Sequence, residues 1–384
     1  MKKKVILTAI LIKAFIYAII FMSYNLLPFS ESMHNANFHF FPKGSITFQS
    51  AFSTWDAQHY LFLAQYGYHP GFESDRFYPL LPGLIHLFSP LFGFFLSGLF
   101  ISSVMSTIGF VYFYLFVRDF TKDESVAFLS FLLLLFFPTS FYFSLIYSEG
   151  LFLGIVAPLF YYLYKKKYLL SFVLSFLLPL VRATGILILP ALSIYVFLDY
   201  FKFPLNNFKK TLKSALRIRP SLAIVFAPFI GFAILLFMMH FSTGNLFTGI
   251  IYSGNVVGGW HINSLWNPMI FLHNLFDTHL VLHGFTNSII DRIFFILFLL
   301  SLPLVWKKTD LFLFIYTLSM GLVPLFGSFM SYTRYSLLAL PIFIAWALIL
   351  KNKKYAFLKF SVFYLMISIQ TLFIIMQALN LWVA

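Results

Sequence analysis

Cysteine is absent from the 384 residues, so the chain can form no disulfide and offers no thiolate to a metal. The same absence leaves its redox compartment unmarked. Charge is nearly as scarce: Asp, Glu, Lys and Arg make up 10% of the residues, against about 25% in a soluble domain. A surface that meets water on all sides cannot be built from so few charges. Only twelve residues are acidic, which makes the position of each one informative. What fills the space is apolar: 61% of residues are hydrophobic and 22% aromatic, with 55 Phe. Such a chain would aggregate in water and suits a bilayer, so a multi-pass all-α integral membrane protein is expected.

The formal charge of +14 resembles that of a nucleic-acid binder, but its placement excludes that reading. Twenty of the 26 Lys and Arg lie in short connections between apolar runs: Lys2 to Lys4, Arg118 and Lys122, Lys165 to Lys167, Lys202 to Arg219, Lys307 and Lys308, and Lys351 to Lys359. If every second connection is cytoplasmic, all six clusters share one side, as the positive-inside rule requires. They set topology, with the amino terminus cytoplasmic, and face anionic headgroups. The partner so implied is a lipid bilayer and no nucleic acid. The first apolar run follows MKKK but continues to about Pro28 with no A-x-A site, so it reads as a retained span and not as a signal peptide.

Apolar stretches of about twenty residues place about eleven spans, near 5–27, 91–117, 125–147, 149–164, 168–181, 185–201, 220–241, 289–306, 311–328, 335–350 and 356–380. No strong internal repeat is visible, and residues 1–384 read as one polytopic domain. The basic connections are short, whereas two on the opposite side are long, at 28–90 and 242–288. Long connections in a compact protein tend to be functional. Seven of the twelve acids lie on or near that outer side: Glu31, Asp56, Glu73, Asp75, Glu149, Asp277 and Asp291. Arg182 and Arg334 also fall at outer span ends, against the topology rule, which marks them as candidates for function.

Asp56 stands in Trp55-Asp56-Ala57-Gln58-His59-Tyr60, where helical spacing makes Asp56 and His59 neighbours. A carboxylate under aromatic cover at a membrane boundary suits a general base; equally, Asp is a favoured helix N-cap. An alternative has Asp56 and His59 open a divalent-metal site closed by His261, His273, Asp277, His279 or His283, but no metal motif of established spacing occurs there, and neither metal nor other cofactor is expected. Glu149, in Tyr147-Ser148-Glu149-Gly150, reads either as a first-turn acid behind an N-cap Ser148 or as a carboxylate orienting Arg or a substrate hydroxyl. Arg182 and Arg334 either snorkel to the interface or bind phosphate through the guanidinium fork. Glu73, Asp75 and Arg76 read as solvated loop charges.

Four segments, in order, carry a family resemblance. TWDAQHYLFLAQYGY followed by RFYPLLPGL resembles the first luminal loop of the PIG-V-type mannosyltransferases, the second mannosyltransferases of GPI-anchor assembly, and of their prokaryotic relatives. FPTSFYFSLIYSEGLF, PLVRATGILIL and SYTRYSLLALP resemble that family's Tyr-Ser-Glu, Arg-x-Asn-Gly and late Arg-Tyr…Pro stretches. Gly150 departs from the family's Ser and Thr184 from its Asn. The resemblance implies a GT-C-like helical bundle whose large first outer loop carries short interfacial helices. It implies an enzyme that takes a mannosyl or other hexosyl residue from a polyprenyl-phosphate donor such as dolichyl phosphate mannose. The acceptor would be a glycolipid or glycan on the non-cytoplasmic face of a prokaryotic cell membrane, or of the endoplasmic reticulum in a eukaryote. By the same resemblance Asp56, His59 and Glu149 are expected to be catalytic, Arg182 and Arg334 to bind the donor phosphate, and Trp55, Tyr60 and Tyr335 to contact substrate. A transporter or flippase of lipid-linked glycans, and a non-catalytic subunit of a glycosylation complex, are the rival readings.

Overall fold

Long apolar runs broken by Pro, Gly and short polar connections dictate helices joined by tight turns, and helices are what form. A computed structural model describes residues 1–37, 46–200, 220–255 and 262–383; His261 and the basic cluster Lys202 to Arg219 lie outside them. The longer helices are α1 (Lys2–Leu26), α4 (Leu80–Thr121), α5 (Glu124–Leu135), α6 (Ser148–Tyr164), α7 (Tyr168–Val181), α8 (Leu189–Tyr200), α9 (Pro220–Thr243), α12 (Ile289–Lys308), α13 (Leu311–Gly321), α15 (Pro341–Leu350) and α16 (Ala356–Ala378). Between them lie α2 (Glu31–Asn37) and α3 (Asp56–Tyr66), α10 (Thr248–Asn255) and α11 (Pro268–Leu275), and the short α14 (Tyr332–Ser336). No named strand occurs among the described residues. Five helical stretches, Lys2–Leu26, Leu80–Thr121, Pro220–Thr243, Ile289–Lys308 and Lys353–Ala378, are long and apolar enough to cross a membrane, and six further apolar helices are shorter. This fits a helical membrane protein. Each apolar segment read from the sequence contains a helix.

The outward faces agree with a lipid surround. Leu7, Leu11 and Phe15 of α1, Phe229, Phe237 and Phe241 of α9, and Phe357, Phe360 and Leu365 of α16 are all exposed. Apolar patches that large are unusual on a soluble monomer. At the centre, every side chain of α6 from Ser148 to Phe160 is buried. That helix packs on α4 and α7; α7 packs on α9, and α1 on α4 and α16. Whatever begins α6 is therefore held at the middle of the bundle.

Two departures from continuous spans matter. In α4, Gly93 adopts φ 72°, a left-handed conformation that breaks the helix three residues after Pro90; a separate arm of α4 thus precedes the span expected from residue 91. The segment expected as one span at 125–147 is a correction: α5 stops at Leu135, and a buried 3₁₀ turn (Ser140–Ser144) leads to α6. Pro138 supplies no N–H and cannot continue a helix. The freed carbonyls find partners within the protein. Lys13 Nζ donates to Phe143 O at 3.1 Å, Ser106 Oγ to the same oxygen at 2.7 Å, and Tyr17 OH to Ser144 O at 2.7 Å. Gln370 Nε2 donates to the carbonyls of Leu135 and Phe137, each at 3.2 Å. Non-helical backbone at membrane depth is tolerated only when buried and satisfied in this way. The buried Lys13, unremarked in the sequence reading, stabilises the turn that presents Tyr142, Tyr147 and Glu149.

Candidate active site

The chain enters α3 through an unusual corner. Trp55 has φ 51°, a conformation that costs a bulky residue of order 1–3 kcal/mol. It persists because its neighbour Thr54 is pinned: Tyr147 OH donates to Thr54 O at 3.0 Å, and Gln377 Nε2 donates to Thr54 Oγ1. The corner makes Asp56 the first residue of α3, and its carboxylate turns to the bundle instead of capping a helix. Asp56 Oδ2 lies 2.7 Å from Arg334 Nη1. The N-cap reading of Asp56 is thus corrected, since Trp55 holds the cap position.

Arg334 is the hub. Its Nε donates to Glu149 Oε1 at 2.6 Å, and Arg182 Nη1 donates to the same oxygen at 2.6 Å. Arg182, Glu149, Arg334 and Asp56 form one continuous chain of two guanidiniums and two carboxylates, drawn from the end of α7, the start of α6, α14 and the start of α3. The side chain of Glu149 is 0% exposed and those of both arginines 8%, whereas that of Asp56 is 25% exposed. Asp56 is therefore the member that reaches an approaching molecule. Glu149 begins α6 without a cap from Ser148, since Tyr147 precedes the helix as its N-cap; the Ser148 reading is corrected. Its second oxygen, Oε2, is buried with no hydrogen-bond partner. A buried carboxylate oxygen left in that condition is costly.

Aromatic rings wall the guanidiniums. The Arg334 guanidinium carbon lies 4.7 Å from the Tyr147 ring centroid and 5.0 Å from that of Tyr142; that of Arg182 lies 5.2 Å from Tyr335. These are cation–π distances. Tyr142 OH donates to Gln377 Oε1 at 3.1 Å and Gln377 Nε2 to Tyr147 OH at 3.0 Å, so one amide from α16 orders both rings and the Thr54 corner. The backbone before Arg334 is fixed by Asp291, whose Oδ1 accepts from both Thr333 N and Thr333 Oγ1 at 2.8 Å, while Thr139 Oγ1 donates to Thr333 O at 3.0 Å. Tyr142, Tyr147, Gln377, Asp291 and Thr333 escaped the sequence reading as site residues. Two Gln in the otherwise apolar run of α16, Gln370 and Gln377, were the signal for Gln377.

The other expected site residues divide. Tyr60 is buried beside the cluster and hydrogen-bonds Ser148; burial, and then the charges of Asp56 and Glu149, push its phenol pKa up. His59 is buried against the loop: its Nδ1 lies 2.8 Å from Ser74 Oγ and its ring stacks on Phe77. That makes it a support for α3. Trp55 meets Trp382 and Phe285 edge-on. Asp75 is a correction. It is fully buried, its Oδ1 accepts from His69 N at 3.2 Å, and burial pushes its carboxyl pKa up; Glu73 remains exposed. Of the residues named for a metal site, His261 lies outside the described residues. No three His or acidic side chains gather at metal-binding distance among the described residues. Asp277 Oδ1 accepts from His279 N, and His283 stacks on Phe373.

Gly150 has no room for a side chain. A Cβ there would sit 2.8 Å from Ser102 O and 3.2 Å from Phe143 O, backbone atoms of α4 and of the 3₁₀ turn. Gly150→Ser is expected to push Glu149 off its arginines and to destabilise by about 1–3 kcal/mol, read as a lower thermal midpoint in detergent; an unchanged midpoint would mean that α4 and α6 part without cost. No protein-family model matches this chain, and no curated protein matches it significantly.

Proposed function

We propose that this protein is a membrane glycosyltransferase of the GT-C kind, related to the PIG-V-type mannosyltransferases. It moves a mannosyl or other hexosyl residue from a polyprenyl-phosphate donor to a glycolipid or glycan on the non-cytoplasmic face. The observation that carries this reading is the Arg182–Glu149–Arg334–Asp56 chain, which joins paired guanidiniums to a partly exposed carboxylate. On this reading the five long helices and six shorter ones make about eleven crossings, the amino terminus is cytoplasmic, and the chain of charges lies at the outer interface. The prenyl tail lies along apolar helix faces, which need no polar contact to hold it.

The charges of the cluster balance, so a donor phosphodiester has to displace one carboxylate. Glu149 is sealed and doubly bonded, whereas Asp56 holds one guanidinium nitrogen from a partly open position. The phosphate takes the Asp56 side of Arg334 and the N–H groups of Arg182 that Glu149 does not hold. That exchange releases Asp56 as a base only once donor is in place. Asp56 then accepts the proton of the acceptor hydroxyl. The acceptor oxygen bonds to the anomeric carbon as the bond from that carbon to the phosphate oxygen breaks. The electron pair leaves with polyprenyl phosphate, whose growing negative charge the two arginines stabilise. Attack opposite the leaving group inverts the anomeric centre, through an oxocarbenium-like transition state.

The test is transfer of radiolabel from a polyprenyl-phosphate mannose to lipid acceptors by the purified protein. Label that moves between membrane leaflets without forming a glycosidic bond would support the flippase reading instead. Arg182→Lys keeps the charge but loses the planar fork. It is expected to raise the apparent KM for donor about tenfold, at about 1.4 kcal/mol per decade, and to leave that for acceptor unchanged. Equal changes in both would remove the phosphate role.

A further inference from the structure

Beside the base lies a second cluster that the proposed chemistry does not use. The Trp55 ring meets Trp382 edge-on at 5.0 Å and Phe285 at 5.8 Å, while Phe285 and Trp382 stack at 3.9 Å. Three remote segments thus build one aromatic box: the corner before α3, the connection between α11 and α12, and the stretch after α16. Its polar atoms are left over. The indole Nε1 atoms of Trp55 and Trp382 are buried with no hydrogen-bond partner, and so are both amide atoms of Asn380, a fully buried side chain in a left-handed turn. Trp and Asn groups buried in a protein normally find partners. Four such atoms on neighbouring residues are a cost of folding that a bound molecule would recover. Phe285 is 39% exposed, so one wall of the box faces outward.

We infer that the Trp55–Phe285–Trp382 box with Asn380 is a hexose-binding subsite, and that it holds the terminal sugar of the acceptor. A pyranose matches both features of the site. Its C–H face packs on an indole, and its hydroxyls accept from indole N–H and exchange hydrogen bonds with an amide. The position selects acceptor over donor. The charge chain runs from Arg182 through Glu149 and Arg334 to Asp56, and Trp55 is the chain neighbour of Asp56, the end of that series opposite Arg182. In-line displacement places the phosphate and the attacking hydroxyl on opposite sides of the anomeric carbon, with the base at the hydroxyl. A sugar in the box presents a hydroxyl to Asp56 while the phosphate sits on the arginines. The acceptor role rests on the transferase reading; sugar binding by the box does not.

The experiment uses the full chain purified in an amine-oxide detergent, free of sugar headgroups, and titrated with octyl α-mannopyranoside while tryptophan fluorescence is followed. The expected result is a saturable change that n-octanol does not produce. Trp382→Phe, which keeps a ring and deletes the N–H, should weaken binding about 3–10-fold. Asn380→Leu should weaken it by a similar factor. In the transfer assay Trp382→Phe should raise the apparent KM for acceptor by the same factor and leave that for donor unchanged. An equal response to octanol, or unchanged mannoside affinity in both variants, overturns the subsite. Mannoside binding lost in the variants, in a protein that transfers no label, keeps the subsite and sinks the transferase reading. Variants that bind mannoside weakly but show an unaltered acceptor KM overturn the acceptor assignment.

Discussion

Glu149→Gln is expected to cost more stability than any other single substitution at the site. Glu149 Oε1 receives both Arg182 and Arg334, and its side chain is 0% exposed. Removing that charge leaves two nearly buried guanidiniums with one carboxylate, Asp56, to share. Breaking a buried ion pair by deleting one partner costs about 3–5 kcal/mol, because the remaining charge stays buried without compensation. The effect should appear as poor yield and a sharply lower thermal midpoint in detergent. A second substitution distinguishes charge imbalance from lost packing. Adding Arg182→Met to Glu149→Gln restores one guanidinium per carboxylate, so the double variant should be more stable than Glu149→Gln alone. If the double variant is the less stable of the two, the arginines are held by something other than this carboxylate.

Asp56→Asn carries the largest expected effect on activity. A positioned general base contributes about 10²–10⁴-fold, and an amide cannot take the acceptor's proton, so transfer should fall by at least about a hundredfold in purified protein. Asn can still accept from Arg334 Nη1, which Asp56 contacts at 2.7 Å. Expression should hold and the thermal midpoint should fall by less than in Glu149→Gln, because Asp56 is 25% exposed and water reaches Arg334 there; donor binding should not weaken, because the carboxylate that competes for Arg334 is gone. Asp56→Asn protein that transfers sugar at the parent rate would end the assignment of Asp56 as base.

Much of this arrangement was legible in the sequence. Asp56, Glu149, Arg182 and Arg334 stood out because charge is so rare, and the structure brings all four into one chain of ion pairs. Rarity does not reveal pairing, however. That Arg334 would bridge Asp56 and Glu149, residues 185 and more positions away in sequence from it, is a property of tertiary packing. Local propensity misled at two helix starts. Asp and Ser are good caps, yet Trp55 and Tyr147 occupy the cap positions, because Thr54 is pinned by Tyr147 and Gln377, contacts invisible from spacing. The polar neighbours of Asp75 suggest a solvated charge; it is instead buried, with its Oδ1 accepting from His69 N. Pro138 was plainly visible within an expected span, and the broken helix follows from it. What hydropathy hid was the repair: Lys13 and Gln370 lie far away on helices that looked merely apolar.

The account stands or falls on where the donor phosphate binds and what Asp56 does when it arrives. A structure of the protein with a non-hydrolysable polyprenyl-phosphonate sugar would decide both at once. The phosphonate oxygens should lie within hydrogen-bond reach of Arg182 and Arg334. Asp56 should have left Arg334 and turned toward the anomeric face opposite the leaving group, with Glu149 still holding both arginines. A phosphonate bound away from both guanidiniums, with the Asp56–Arg334 pair unbroken, would contradict it.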